Sequence, residues 1–128
     1  MSDAITISEI NKAIGAHGMY KFKLGRAISR GASELTPDEV RCDDKCEFGK
    51  WLHSSSISDR MRTGMPYQVV SRLHADFHKC AGRILEYAVS SRALEASRLM
   101  EGEFSERSHI LVVALNKWKR ELQMDKAA

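Results

Sequence analysis

Residues 66 to 90 read PYQVVSRLHADFHKCAGRILEYAVS. Apolar side chains recur there at the three- and four-residue spacing that places them on one face of an α-helix. Proline favours the first turn of a helix, because its missing N–H is not needed there. We therefore expect a long helix that Pro66 opens and that reaches about Ser90. Its apolar face consists of Val69, Val70, Leu73, Phe77, Ala81, Ile84, Leu85 and Ala88.

Two further helical patterns flank this stretch. The first covers residues 7 to about 30, with Ser8 as the expected N-cap and Gly31 as the expected C-cap. Its apolar stripe consists of Ile10, Ile14, His17, Leu24 and Ile28. The second begins near Arg92 and continues to about Leu122, with Gly102 as a weak point.

The segments between these helices are short and polar. Residues 31 to 45 predict a connecting loop, and residues 58 to 66 a loop or turn. Residues 46 to 56, CEFGKWLHSSS, predict a short helix with Asp43 or Asp44 near its start. No strand-like alternation and no repeat occurs. We expect an all-α protein, a four-helix-bundle-like antiparallel bundle with one short cysteine-bearing helix, forming a single domain over residues 1 to 128.

Composition narrows the functional classes. The net charge of +3 is small and basic residues alternate with acidic ones, so we expect no nucleic-acid partner. The longest apolar run, residues 110 to 115, is far shorter than the roughly 20 residues of a membrane span. The N-terminal MSDAITISEINKA has no basic region before an apolar stretch, unlike a secretory signal. These features predict a cytoplasmic domain without direct membrane contact, although a larger parent protein could carry an anchor.

His74 and His78 stand four residues apart in LHADFH on the central helix. Side chains at this spacing leave the same face of a helix one turn apart, so both imidazoles can reach one metal ion. Ala75 follows the first histidine where a metalloprotease motif has its catalytic glutamate. The alternative is a pair of histidines that make ordinary hydrogen bonds.

His17 and Cys46 favour the metal hypothesis. His17 lies in an apolar stripe, and three buried, unpaired imidazoles would be costly without a shared ion. Cys46 opens the short helix, whose dipole should lower the thiol pKa. Gly49 permits close backbone approach, and Trp51 can wedge the helix against the bundle. Three nitrogen donors and one thiolate make the donor set of a tetrahedral Zn²⁺ site.

The remaining candidates carry less weight. An odd number of cysteines favours free thiols or a metal ligand over disulfides, and Cys42 is interpreted as an incidental thiol. Cys80 falls on a different helix face from the histidine pair and is expected in the core. His53 is expected to be exposed, and His109 is left out of the site. Asp76 is a candidate acceptor for a hydrogen bond from a ligand histidine, but its position on the helix disfavours that role.

With these residues placed, the chain resembles the chemoreceptor zinc-binding domain family. That family has a histidine in its first helix, a Cys-x-Phe/Leu-Gly-x-Trp element and a later His-x-x-x-His pair. The matching segments are NKAIGAH ending at His17, CEFGKW at residues 46 to 51 and HADFH at residues 74 to 78. The resemblance covers about residues 8 to 122. One departure is at Met19 and Tyr20, where the family often has a tryptophan.

The resemblance implies a bacterial, mostly cytoplasmic sensory module that binds zinc through His17, Cys46, His74 and His78. Such domains occur on chemoreceptors and diguanylate cyclases, form homodimers and pass their state to an output domain or receptor, in the same chain or in a separate protein. The function favoured is therefore a regulatory zinc sensor for chemotaxis or cyclase control, and not an enzyme.

Three other functions compete with the zinc sensor, as does a helical interaction domain that binds no metal. A redox switch would use the same site, since oxidation of the Cys46 thiolate by peroxide or hypochlorous acid weakens its bond to zinc. A hemerythrin-like di-iron bundle that binds O₂ would fit the helices and the histidine pair, but it needs more histidines and bridging carboxylates. A zinc hydrolase would need a water-bearing position and a general base, and neither is evident.

Overall fold

The computed structural model describes residues 2 to 127, and in that range the chain is all-α, without strands. The helices are α1 (Ser2–Gly18), α2 (Tyr20–Arg30), α3 (Pro37–Arg41), α4 (Glu47–Leu52), α5 (Asp59–Arg62), α6 (Met65–Val89), α7 (Ala93–Leu99) and α8 (Ser105–Ala127). A π-helical turn, Met100–Phe104, joins the last two. The predicted helical bundle is confirmed. None of these helices is both long and apolar enough to cross a membrane.

Helix α6 is the centre of the bundle. It packs against α2, α3, α7 and α8, while α1 packs against α4 and α8. Phe77 and Ile84 on α6 are fully buried, as are Ile10 on α1 and Leu111 and Leu115 on α8. Pro66 lies in the first turn of α6, as predicted, and Ser90 caps its C-terminal end. The two α6 histidines are therefore fixed to the most buried element of the protein.

The first helical pattern forms two helices where one was predicted. Helix α1 begins at Ser2, so the prediction of Ser8 as its N-cap is wrong, and it ends at Gly18. The Met19 N–H donates to the Ala16 carbonyl at 3.2 Å, a tighter turn than the α-helical bond makes. The break places His17 at the end of α1. Gly31 caps α2 with a φ of 69°, and its N–H donates to Ala27 at 2.8 Å, as expected.

The third pattern remains helical throughout, although it is not one regular helix. Leu99, Met100 and Ser105 all keep right-handed helical dihedral angles, so α7, the π-helical turn and α8 follow one another without a loop. Gly102, the expected weak point, lies inside the π-helical turn. Glycine disfavours a regular helix, which explains why the irregular hydrogen bonding falls here.

Residues 31 to 45 contain a helix that the loop prediction missed. Thr36 accepts the Glu39 N–H at 3.2 Å and Pro37 occupies the first turn, so α3 begins with a regular N-cap. Helix α3 lies directly against α6 at Gly82, where a Cβ atom would be 2.9 Å from the Cβ of Arg41. The T-x-x-E capping pattern was visible in the sequence and could have revealed this helix.

Candidate metal centre

Three histidines and one cysteine from three parts of the chain converge inside the bundle. His17 comes from the end of α1, Cys46 from the start of α4, and His74 and His78 from α6. One donor atom of each lies within 4.8 Å of the others. The Nε2 atom of His74 lies 3.0 Å from that of His78 and 3.1 Å from that of His17. The Cys46 Sγ atom lies 3.4 Å from His74, 3.5 Å from His78 and 4.0 Å from His17.

Backbone carbonyls determine which nitrogen of two histidines carries the proton. The Nδ1 of His17 is 2.8 Å from the Ala13 carbonyl, and the Nδ1 of His78 is 2.9 Å from the Val40 carbonyl. A carbonyl oxygen only accepts, so each Nδ1 must donate, and each neutral ring then has an unprotonated Nε2. Both free lone pairs point into the centre of the cluster.

The cluster fits a bound cation better than it fits a hydrogen-bond network. The Nε2 atoms of His17 and His78 lie 3.4 Å apart, and two acceptors at that distance repel each other. His74 can supply one proton between them, and its buried Nδ1 has no partner in the described part of the chain whichever of its nitrogens is protonated. A metal ion held by all three Nε2 atoms and the Cys46 sulfur relieves that repulsion.

Burial keeps the three imidazoles neutral. Loss of solvation lowers the pKa of His17 to about 4 and that of His74 to about 2, and it lowers the pKa of His78 as well. The three side chains are at most 2% exposed. Neutral imidazole is the form that binds a metal, so no proton has to leave these rings at neutral pH.

Cys46 differs from the sequence-based expectation in its pKa. Burial raises the pKa of this thiol, and the hydrogen bond from the Gly49 N–H, at 3.3 Å, only partly opposes that effect. Desolvation therefore exceeds the helix-terminus effect in the metal-free chain. Cys46 is itself the N-cap of α4, at the start of the short helix as expected. The side chain thus links the start of α4 to the centre of the cluster.

Gly49 is required by a close backbone contact, as its position suggested. A Cβ atom there would overlap the carbonyl oxygen of Asp43 and lie 2.8 Å from its carbonyl carbon. Trp51 packs near Phe48 and Trp118, with ring centroids 5.9 and 6.2 Å away. The tight turn and these rings together hold Cys46 against the bundle.

Aromatic rings surround the histidines. Tyr20 stacks on the His17 ring at 5.9 Å, and Phe77 meets the same ring edge-on at 5.1 Å. Phe48 meets the His74 ring edge-on at 5.2 Å. Burial, followed by the nearby Cys46, raises the pKa of Tyr20 to about 12. Tyr20 therefore packs directly on His17, near the position where the family often has a tryptophan.

The candidates judged weaker lie outside the cluster. His53 is half exposed and its Nε2 lies 3.4 Å from an Asp43 carboxylate oxygen, while His109 is exposed. Cys80 is buried in the core as expected. Asp76 lies 3.7 Å from Arg107 and makes no hydrogen bond to a site histidine. Cys42 is an exposed free thiol.

Sequence reasoning missed the two backbone acceptors of the cluster. Ala13 is one turn before His17, so its carbonyl is within reach of a helical histidine, and that signal was present. Val40 comes from α3, in a segment whose polar sequence predicted a loop. Its carbonyl reaches His78 only because α3 packs tightly on α6.

The metal-free protein is expected to lose stability as the pH falls below about 6.5, the pKa of an unfolded histidine. The lowered pKa values of His17 and His74 mean that the unfolded chain binds protons there before the folded chain does. Each histidine then contributes a loss of up to about 1.4 kcal/mol per pH unit. Urea unfolding in the presence of chelator, repeated across this range, measures the loss. His74→Leu should flatten the profile, and an unchanged profile in that variant would contradict the explanation.

The fold and the cluster define a class: a helical bundle with a buried candidate metal centre of three histidines and one cysteine. The sequence model of the chemoreceptor zinc-binding domain matches residues 17 to 85, more than half of the chain. The chain belongs to the chemoreceptor zinc-binding domain family. The matched segment includes all four residues of the cluster. No curated protein and no solved structure matches the chain.

Proposed function

We propose that this chain is a regulatory domain that binds Zn²⁺ through His17, Cys46, His74 and His78 and passes its metal state to a signalling partner. Membership of the family supports the zinc and signalling parts of the proposal. The single observation that carries it is the opposed pair of Nε2 lone pairs on His17 and His78, held in place by two backbone carbonyls. A cation is the group that such an arrangement fits.

Zinc suits the donors better than other common ions do. Imidazole and thiolate are its preferred protein ligands, whereas magnesium and calcium prefer oxygen. Four protein donors complete a tetrahedral site and leave no position for water, which favours regulation over hydrolysis. In the described range the only cluster of potential ligands is this one, and it contains no carboxylate, so a hemerythrin-like di-iron centre has no support.

The residues suggest how metal state could change the domain. Bound zinc would offset the repulsion among the four donors and join α1, α4 and α6. Phe48 and Leu52 anchor α4 in the core independently of the donors. Loss of the ion would therefore release Cys46 and the turn before it while most of the bundle stays folded.

The wider context of the domain is also a proposal. We infer a single cytoplasmic domain over residues 1 to 128 in a bacterial chemotaxis or cyclase pathway. We infer a homodimer that controls an output domain or receptor and has no enzymatic activity of its own. The support is the family membership.

Metal content tests the proposal. Wild-type protein should carry about one zinc ion per chain. Cys46→Ala should lose most of it, because the thiolate donor is gone, and mass spectrometry under native conditions measures the ratio. Cys46→Ser is the matched control for capping, since serine can still accept the Gly49 N–H; it should lose zinc as well. Equal zinc content in wild type and Cys46→Ala would remove Cys46 from the site.

A redox switch at the same site is the second candidate. Cys46 is only partly buried, whereas the three histidines are almost fully buried, so the thiolate is the donor that an oxidant reaches most easily. Its conversion to sulfenic acid would weaken zinc binding.

Oxidant and chelator separate the two candidates. A redox switch predicts that peroxide or hypochlorous acid releases zinc from the wild type, measured with a zinc-sensitive dye at constant total zinc. Cys42→Ala, which removes the exposed thiol outside the site, should release zinc equally. A zinc sensor without redox function would instead respond to chelator alone and keep its zinc under oxidant.

A further inference from the structure

Helix α2 presents an unneutralised basic face. The helix carries Lys21, Lys23, Arg26 and Arg30 and no acidic residue, more positive charge than the net +3 of the whole chain. Lys23, Arg26 and Arg30 lie on one side of the helix, which is the basic face. All four side chains are exposed. None forms an ion pair with any residue that the structure describes. Lys23 makes a cation–π contact, with its Nζ 5.4 Å from the centre of the Tyr20 ring.

An open groove runs beside this face. Phe22 lines this groove and is 69% exposed. Gly25 and Met100 line the groove, which has a volume of about 780 Å³. Gly25 has no side chain to fill it; a Cβ there would lie 3.8 Å from the Met100 methyl carbon. The groove therefore has apolar walls and a cationic rim formed by Arg26 and Arg30.

We propose that this surface binds an acidic segment of a partner protein. Carboxylates of that segment pair with Arg26 and Arg30, and an apolar side chain next to them enters the groove against Phe22 and Met100. Arginine suits this role because its guanidinium group can bind a carboxylate through two hydrogen bonds. The surface needs no metal at the histidine cluster, so the proposal stands apart from the zinc function.

The dimensions and burial of α2 favour a peptide over other anions. Lys23 and Arg30, which lie on the same side of α2, are about 10 Å apart along the helix axis, longer than a single phosphate or carboxylate ligand. A membrane-binding helix needs a free apolar face, but Leu24 and Ala27 on α2 are buried in the core. Phe22 alone remains to insert into lipid, so an anionic membrane fits this surface less well.

Fluorescence anisotropy on the full chain tests the proposal. The probes are short labelled peptides with glutamates at successive spacings around one leucine, phenylalanine or methionine. We expect the wild type to bind some of them, and Arg26→Glu/Arg30→Glu to bind about tenfold more weakly or worse. Phe22→Ser should also weaken binding. Lys117→Glu/Arg120→Glu on α8 makes the same change of net charge at exposed positions and should bind as the wild type does.

Several results would overturn the proposal. One is that the wild type binds none of the peptides. Another is that the α8 control variant binds them as weakly as the Arg26→Glu/Arg30→Glu variant does. A third is that peptides with glutamine in place of glutamate bind the wild type with the same affinity. The wild type could instead bind phosphatidylserine vesicles or an oligonucleotide and no peptide. If the Arg26→Glu/Arg30→Glu variant lost that binding, the surface would be assigned to that ligand. Circular dichroism of each variant checks that the helices are retained.

Discussion

Replacing His74 with leucine is expected to lower zinc affinity by about a hundredfold or more, because even residues behind a metal ligand alter affinity by tenfold to a hundredfold. The Nε2 of His74 lies closest to the other donors of the cluster, at 3.0 and 3.1 Å from the two other imidazoles and 3.4 Å from the Cys46 sulfur. Loss of this atom opens one side of the proposed site. Competition with a chromophoric chelator measures the change.

The same variant should change the stability of the metal-free protein only slightly. The His74 side chain is fully buried and its Nδ1 has no hydrogen-bond partner among the described residues. Leucine removes this unpaired Nδ1, but it also removes the Nε2 group that contacts His17 and His78, so the two effects oppose each other and the free energy of unfolding in chelator should change by less than about 1 kcal/mol. His109→Ala, which removes an exposed histidine outside the cluster, should leave zinc affinity unchanged. A His74→Leu protein that binds zinc normally would exclude His74 as a ligand.

Replacing Gly49 with alanine is expected to lower the free energy of unfolding by about 3 kcal/mol or more, at the upper end of what overpacking causes. The added methyl group would overlap the Asp43 carbonyl, and backbone atoms cannot rotate away as a side chain can. The turn before α4 must open, which displaces Cys46 from the three histidines. Zinc affinity should therefore fall in the same variant. Urea unfolding and chelator competition measure the two effects.

Gly15→Ala is the matched control for this prediction. Gly15 lies in α1, and no heavy atom is within 4 Å of a Cβ built there. Alanine is the better helix former, so this variant should be more stable than the wild type by up to about 1 kcal/mol. If Gly49→Ala were as stable as Gly15→Ala, the close approach of α4 to Asp43 would not be a feature of the folded protein.

Much of the fold follows from patterns within single segments. The apolar spacing from Val69 to Ala88 defines α6, Pro66 lies in its first turn, and Gly31 ends α2 with a positive φ. The helix boundaries that were not predicted also have local causes. The break at Met19 leaves the apolar stripe of the first two helices intact, so periodicity alone could not locate it. Helix α3 is too short to show an apolar periodicity, and only its capping residues indicate a helix there.

The chemical character of the candidate centre was also contained in the sequence. The spacing of His74 and His78 places both on one helical face whatever surrounds that helix, because helix geometry is local. The apolar stripe around His17 and the position of Cys46 at the start of a short helix favoured adding both residues to the site, and the family resemblance implied the same four residues. The pKa of Cys46 was predicted in the wrong direction, because the helix-terminus effect was considered without the burial that opposes it.

By itself, the sequence determined the helices, their apolar faces and the four side chains with metal-binding chemistry, since these depend on residues within a few turns of one another. Only the tertiary structure decided how those side chains meet. His17 and His78 are 61 positions apart, and the Val40 carbonyl that orients His78 is 38 positions away. Such contacts depend on how α1, α3 and α6 pack. Packing is the sum of many weak interactions across the whole core, so no single segment encodes it.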